Sequence, residues 1–254
     1  MNKYALSILG IIPARYSSTR LPGKVLVDIN GKPMLQRVWE AACRSKYLSR
    51  IIIATDDERI ENLCLSIGAE YVLTPSELSS GTERAIYAYR MLNEDSEIIL
   101  NIQGDEPLLS GSIIDHLIES FVIRNSDVGT LIKKIDKNED IFNPSVVKVT
   151  LNNESNALYF SRSPIPYLRD YPQSEWHKVH SFWKHIGIYI YKQSAFLNFS
   201  VLANSELDKF EQLEQLRYLQ NGYSIHCIET DQHLISIDTY EDLEIVKNYL
   251  TQIK

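Results

Sequence analysis

The sequence predicts an α/β fold built on a mostly parallel sheet, with a smaller β-rich lobe inserted into it. Three observations predict it. Short apolar runs alternate with helix-spaced apolar residues through the first half of the chain. The stretch 136–182 breaks that rhythm with Pro144, Pro164, Pro166, Pro172 and many aromatics. Helix, strand and helix then return towards the end.

Ser7–Ile12 is an apolar run ending at Pro13, as expected of a strand covered on both faces. Leu35, Val38, Trp39 and Ala42 share one helix face, and Ile51–Ala54 is the next strand. Ile60, Leu63, Cys64 and Ile67 define a second helix, closed by Gly68. Tyr71–Leu73 is a brief strand, and Ala85, Ala88, Tyr89 and Leu92 define a third helix. Ile98–Ile102 is a strand; Ile113, Ile114, Leu117, Ile118 and Phe121 mark a fourth helix. Right-handed β-α-β connections then give a parallel sheet with helices on both faces.

Four β-rich segments follow: Val128–Ile135, Val146–Leu151, Ala157–Phe160 and His185–Tyr191. A helix is predicted at about Leu207–Leu219, ended by Asn221-Gly222, then a strand at Ser224–Ile228 and a last helix over Thr239–Leu250. The expected division is a main domain of 1–135 and 192–254, with 136–191 as the lobe.

The 254 residues carry a net charge of −7, which argues against bulk nucleic-acid binding. An acidic chain that binds an anion must concentrate positive charge locally. The three cysteines, Cys43, Cys64 and Cys227, have neither disulfide nor zinc spacing, and Cys43 and Cys64 fall on apolar helix faces where buried thiols are expected. No apolar run approaches a membrane span. The first residues offer one lysine and no small-residue cleavage pattern, so no signal peptide is read. A cytoplasmic location is expected.

The long connection from Pro13 to Pro33 is the most informative stretch. Loops at the carboxyl ends of parallel strands build ligand sites, and a loop this long is usually functional. It holds Arg15, Arg20, Lys24 and Lys32, two glycines, and no acid before Asp28. That makes a local cradle for a polyphosphate, set against the alternative of a solvated basic loop. Neither a P-loop nor a G-x-G-x-x-G fingerprint is present, which disfavours a nicotinamide oxidoreductase. Asp105 follows the Ile98–Ile102 strand and stands where Mg²⁺ is held by one or two carboxylates plus phosphates; it could equally shape a turn. Asp238 precedes the last helix and reads either as its cap or as a second ligand.

An ordered set of segments runs through the chain: Ile12 through Lys24, Gly31-Lys32-Pro33-Met34, Ala54 through Ile60, Ser80-Gly81-Thr82-Glu83-Arg84 and Asn101 through Pro107. Val146 through Val149, Ala157 through Arg162, His185 through Tyr189, Leu213 through Arg217 and Asp238-Thr239 continue it. In content and order these segments resemble the CMP-Kdo synthetases, the 3-deoxy-manno-octulosonate (Kdo) cytidylyltransferases. The resemblance implies a Rossmann-like nucleotidyltransferase fold, a homodimer, and transfer of CMP from CTP to Kdo for lipopolysaccharide or capsule synthesis. It implies that Ala14, Arg15, Lys24, Ser80, Gly81 and Gln103 bind the nucleotide. Gln103, Arg162, His185 and Glu211 would bind the sugar, and Asp105 and Asp238 would bind Mg²⁺. Lys24, Asp105 and Asp238 are then the catalytic set. The chain departs from the pattern at Ser205-Glu206-Leu207-Asp208, Lys184, Ser236-Ile237 and Tyr240. Because most of these flank the implied sugar pocket, a modified sugar such as 8-amino-Kdo is an alternative substrate. A non-catalytic relative is an alternative class.

Overall fold

The structure, a computed structural model, describes residues 6–18, 21–93, 95–203 and 205–252. In chain order the elements are β1 (Ile8–Ala14), β2 (Asp28–Ile29), β3 (Lys32–Pro33), α1 (Met34–Cys43), β4 (Arg50–Thr55), α2 (Glu58–Ile67) and β5 (Glu70–Leu73). Then come α3 (Gly81–Leu92), β6 (Ile98–Ile102), α4 (Gly111–Arg124), β7 (Val128–Lys134), α5 (Asn138–Phe142), β8 (Lys148–Leu151) and β9 (Ala157–Ser161). The remainder is α6 (Trp176–Val179), β10 (Trp183–Lys192), α7 (Gln193–Asn198), α8 (Glu206–Glu211), α9 (Gln215–Gln220), β11 (Ile225–Glu229) and α10 (Tyr240–Gln252).

The chain forms two compact units, one of residues 1–118 with 233–254 and one of 119–232. In the first unit, β6, β1, β4 and β5 pair in that order, all parallel. Every residue of β1 is buried, which is why its run is apolar on both faces. Helix α2 ends as expected at Gly68, in the left-handed region with φ 71°. The segment after residue 233 returns to this unit: Ile237, Leu243 and Val246 bury against Leu21, Ile29 and Met34. That packing fixes α10 beside the long loop after β1.

In the second unit, β10 pairs antiparallel with β7 and, at its start, with β8; β9 pairs antiparallel with β8, and β11 runs parallel to β7. Trp176 stacks on Phe182 within a cluster with Ile135 and Ile141. The lobe was expected at 136–191. This unit also takes in 119–135 and 192–232, because β7 and β11 extend the sheet of β10.

Two expectations are corrected. The helix expected over 207–219 is two helices, broken at Gln212, which adopts a left-handed φ of 54°. Cys43 is exposed at the end of α1, whereas Cys64 and Cys227 are buried.

Candidate active site

The first unit gathers its chemistry at the carboxyl ends of β1 and β6. Arg15 is exposed and makes no ion pair among the described residues. Arg20 lies outside them. The loop turns back through Gly23, at φ 65°, where a Cβ would stand 3.1 Å from the Tyr16 ring. That turn delivers Lys24, whose Nζ donates to Asp105 Oδ2 at 2.6 Å and to Asp238 Oδ1 at 3.0 Å. The three side chains are 15%, 23% and 39% exposed, so the cluster is open to solutes but not fully hydrated. Burial by itself would lower the Lys24 ammonium; Asp105 and then Asp238 outweigh it, and the net value lies above that of an ordinary lysine. Lys32 is directed elsewhere, onto Glu40 at 2.7 Å.

Both carboxylates are positioned by backbone. Gly104 lets the loop after β6 pass close to β1, where a Cβ would meet the Pro13 carbonyl oxygen at 3.3 Å. The Asp105 carbonyl accepts from the Ile237 amide at 3.0 Å, tying this loop to the segment before α10. Thr239 caps α10. Thr239 Oγ1 accepts from the Asp242 amide, and Asp242 Oδ2 accepts from the amides of Asp238 and Thr239. That reciprocal cap follows directly on Asp238, whose carboxylate faces Lys24. Among the described residues no group of three or more His, Cys, Asp or Glu gathers. Two carboxylates converging on one cation suit Mg²⁺, which completes its shell with phosphates and water.

Ser80 caps α3, accepting from the Glu83 amide at 3.2 Å. An ideal Cβ on Gly81 would lie 3.4 Å from Pro13 Cγ and 3.5 Å from Gln103 Oε1, so the start of α3, the end of β1 and Gln103 adjoin. Gln103 Nε2 donates to Asn101 Oδ1, and Asn101 in turn donates to Thr82, both at 3.4 Å. Sequence reasoning assigned no role to Asp56 and Arg84. Arg84 is buried, pairs with Asp56 at 2.7 Å and donates to Thr74, locking α3 to the segments after β4 and β5. Both residues lie in motifs that carried the resemblance, and that was the available signal.

In the second unit Arg162 and Glu211 meet. Glu211 accepts from Ser161 Oγ at 2.6 Å and from the Arg162 amide at 2.9 Å. The Arg162 guanidinium donates to the carbonyls of Glu211, Pro144 and Gln212, so in this structure it braces the break between α8 and α9. His185 stands beside Phe160 and Tyr189, with Nε2 3.1 Å from Thr130 Oγ1. Burial pushes its imidazole down to about 3, so it is neutral. Lys148 sits under Arg162, donating to the carbonyls of Val146 and Arg162 at 2.6 Å and of Asn143 at 2.9 Å.

Comparison with known proteins gives one consistent answer. The cytidylyltransferase family profile matches residues 9–229. A 3-deoxy-manno-octulosonate cytidylyltransferase of Parabacteroides distasonis is 44% identical, over 94% of this chain and 96% of its own. One from Solibacter usitatus is 46% identical, over 94% and 92%. A solved structure of CMP:2-keto-3-deoxy-manno-octonic acid synthetase complexed with CTP superposes with a TM-score of 0.88 at 36% identity, covering 98% of this chain and all of that one. The chain therefore belongs to the 3-deoxy-manno-octulosonate cytidylyltransferase family.

Proposed function

We propose that the protein transfers CMP from CTP to Kdo and releases pyrophosphate. The observation that supports this best is the convergence of Lys24 with Asp105 and Asp238 at the sheet edge where α/β folds bind nucleotides, with an exposed Arg15 directly after β1.

In this reading Arg15 and Lys24 hold the triphosphate, and the start of α3, at Ser80 and Gly81, faces the ribose and cytosine. Gln103 is oriented by Asn101 and serves nucleotide and sugar. Asp105 and Asp238 would hold Mg²⁺, which when bound supplies charge neutralisation around the attacked phosphate. The sugar's anomeric hydroxyl attacks the α-phosphorus in line, and the α–β phosphoanhydride bond breaks. Lys24 neutralises charge growing on the departing pyrophosphate. Arg162, His185 and Glu211 serve the sugar. A group titrating at about 3 is too weak a base to take the hydroxyl proton at neutral pH, so His185 acts as a hydrogen-bond partner.

The same reading extends to a homodimer working in the cytoplasm, supplying lipopolysaccharide or capsule synthesis. Among the described residues no helix is long and apolar enough to cross a membrane. Of the positions that depart from the family pattern, Asp208 pairs with Arg217 at 2.7 Å, a role internal to the fold.

The test is pyrophosphate release by purified protein with Mg²⁺, CTP and Kdo, with ATP, GTP and UTP compared and 8-amino-Kdo assayed alongside. CTP and Kdo are expected to be preferred. Equal turnover with ATP, or none with any ulosonic acid, would sink the proposal.

A further inference from the structure

Lys24 occupies a position that its phosphate-binding role does not require. Its ammonium lies between the carboxylates of Asp105 and Asp238, 2.6 Å from one and 3.0 Å from the other. We infer that Lys24 is a built-in counter-ion that holds the metal site closed to free divalent cations until a nucleotide arrives. The inference rests on the reading of Asp105 and Asp238 as metal ligands given above.

Each carboxylate directs an oxygen at Lys24, and a divalent ion bridging them must take up those same oxygens. Ammonium and metal therefore compete for one set of lone pairs. The lysine reaches the cluster from a neighbouring turn and holds its place by hydrogen bonds as well as charge. A triphosphate alters the balance in two ways at once. It offers Lys24 a better anionic partner, and it brings oxygens that complete a Mg²⁺ shell which two carboxylates leave mostly to water. Lysine suits this exchange: its charge is a point on a flexible stem, whereas an arginine fork would be committed to planar bidentate geometry. Metal and nucleotide are then positively coupled, each raising the affinity of the other.

The experiment is titration of Mn²⁺ alone into nucleotide-free protein, followed by electron paramagnetic resonance, for wild type, Lys24→Met and Lys24→Gln. Both variants should bind Mn²⁺ about tenfold or more tightly than wild type, since they lose two competing ion pairs. Adding Asp105→Asn to Lys24→Met should abolish the gain. Mn²⁺ should also raise the melting temperature of Lys24→Met far more than that of wild type, an independent reading if Lys24→Gln folds poorly. Equal Mn²⁺ affinity in all three nucleotide-free proteins would overturn the inference. If Asp105→Asn or Asp238→Asn in the wild-type background then loses the Mn²⁺ held in the presence of CTP, the metal reading survives and only the counter-ion role falls. If neither substitution changes that binding, the metal reading falls with it.

Discussion

Two lysines, one in each compact unit, are held in opposite ways. Lys24 is met by two carboxylates, and its ammonium is raised above the ordinary range. Lys148 is fully buried and met by three carbonyls; burial, against some help from Glu211, lowers it to about 8. Carbonyls satisfy an ammonium's hydrogen bonds without cancelling its charge. A lysine held by carbonyls is therefore a brace, fixed by geometry. One held by carboxylates in a partly open site can exchange partners when another anion or cation enters. Arg162, gripping three carbonyls, belongs with the braces in this structure.

The largest expected effect is on chemistry in the first unit. Asp105→Asn and Asp238→Asn should each cut turnover by about 100-fold or more, the scale of losing one electrostatic stabiliser, with unchanged circular dichroism. Normal turnover in Asp238→Asn would leave its carboxylate a structural role, as a partner of Lys24.

Next comes the brace. Lys148→Met strands three carbonyls and should cost about 2 kcal/mol or more of unfolding free energy in urea. Its pH dependence is a sharper probe. The folded-state value, about 8, lies below the ordinary 10.5 of the unfolded chain. Between those values the unfolded chain binds the extra proton, so this group makes stability rise with pH. Lys24 has the opposite sign: its contribution is complete below the unfolded value and fades as pH climbs through the raised folded one. Wild type should therefore gain stability relative to Lys148→Met across about pH 8 to 10. A flat difference would mean that burial does not hold the Lys148 ammonium below its unfolded-state value.

Smaller in binding terms is the division of labour between units. Arg162→Ala and His185→Ala should impair use of the sugar while CTP affinity, measured calorimetrically, stays within about threefold. A large loss of CTP affinity would show that the second unit serves the nucleotide too. The smallest effect belongs to Thr239→Ala, which removes the α10 cap one residue from Asp238. It should lower stability by about 1 kcal/mol and leave turnover nearly intact; a turnover loss matching that of Asp238→Asn would tie the cap to the chemistry.

Much of the fold could be read from local pattern, because buried parallel strands and one-sided helices write their periodicity into the chain. β1, the Gly68 stop and the irregular 136–182 stretch are cases of this. Lys24, Asp105 and Asp238 were each singled out from separate motifs, and the structure brings them together. What local pattern missed depends on distant partners. Nothing in the residues around Gln212 announces a left-handed break; Arg162 grips that carbonyl from another strand. The Asp56–Arg84 pair joins α3 to the loop after β4, and the tripod around Lys148 is made of backbone carbonyls, which every residue possesses. Cys43 was misplaced because it ends its helix, where the apolar stripe has already run out.

The ion pair between Lys24 and Asp238 joins residues 214 positions apart, and the intervening chain leaves the first unit and returns. Synthesis runs from the N-terminus, and domains tend to fold in the order in which they emerge. On the ribosome, β6 and the long loop after β1 are therefore exposed long before Asp238 leaves the exit tunnel. A growing chain holds the basic loop and one carboxylate but lacks the other. Chains released before that point carry an incomplete cluster, so the Lys24–Asp238 pair forms only after the whole second unit has been made.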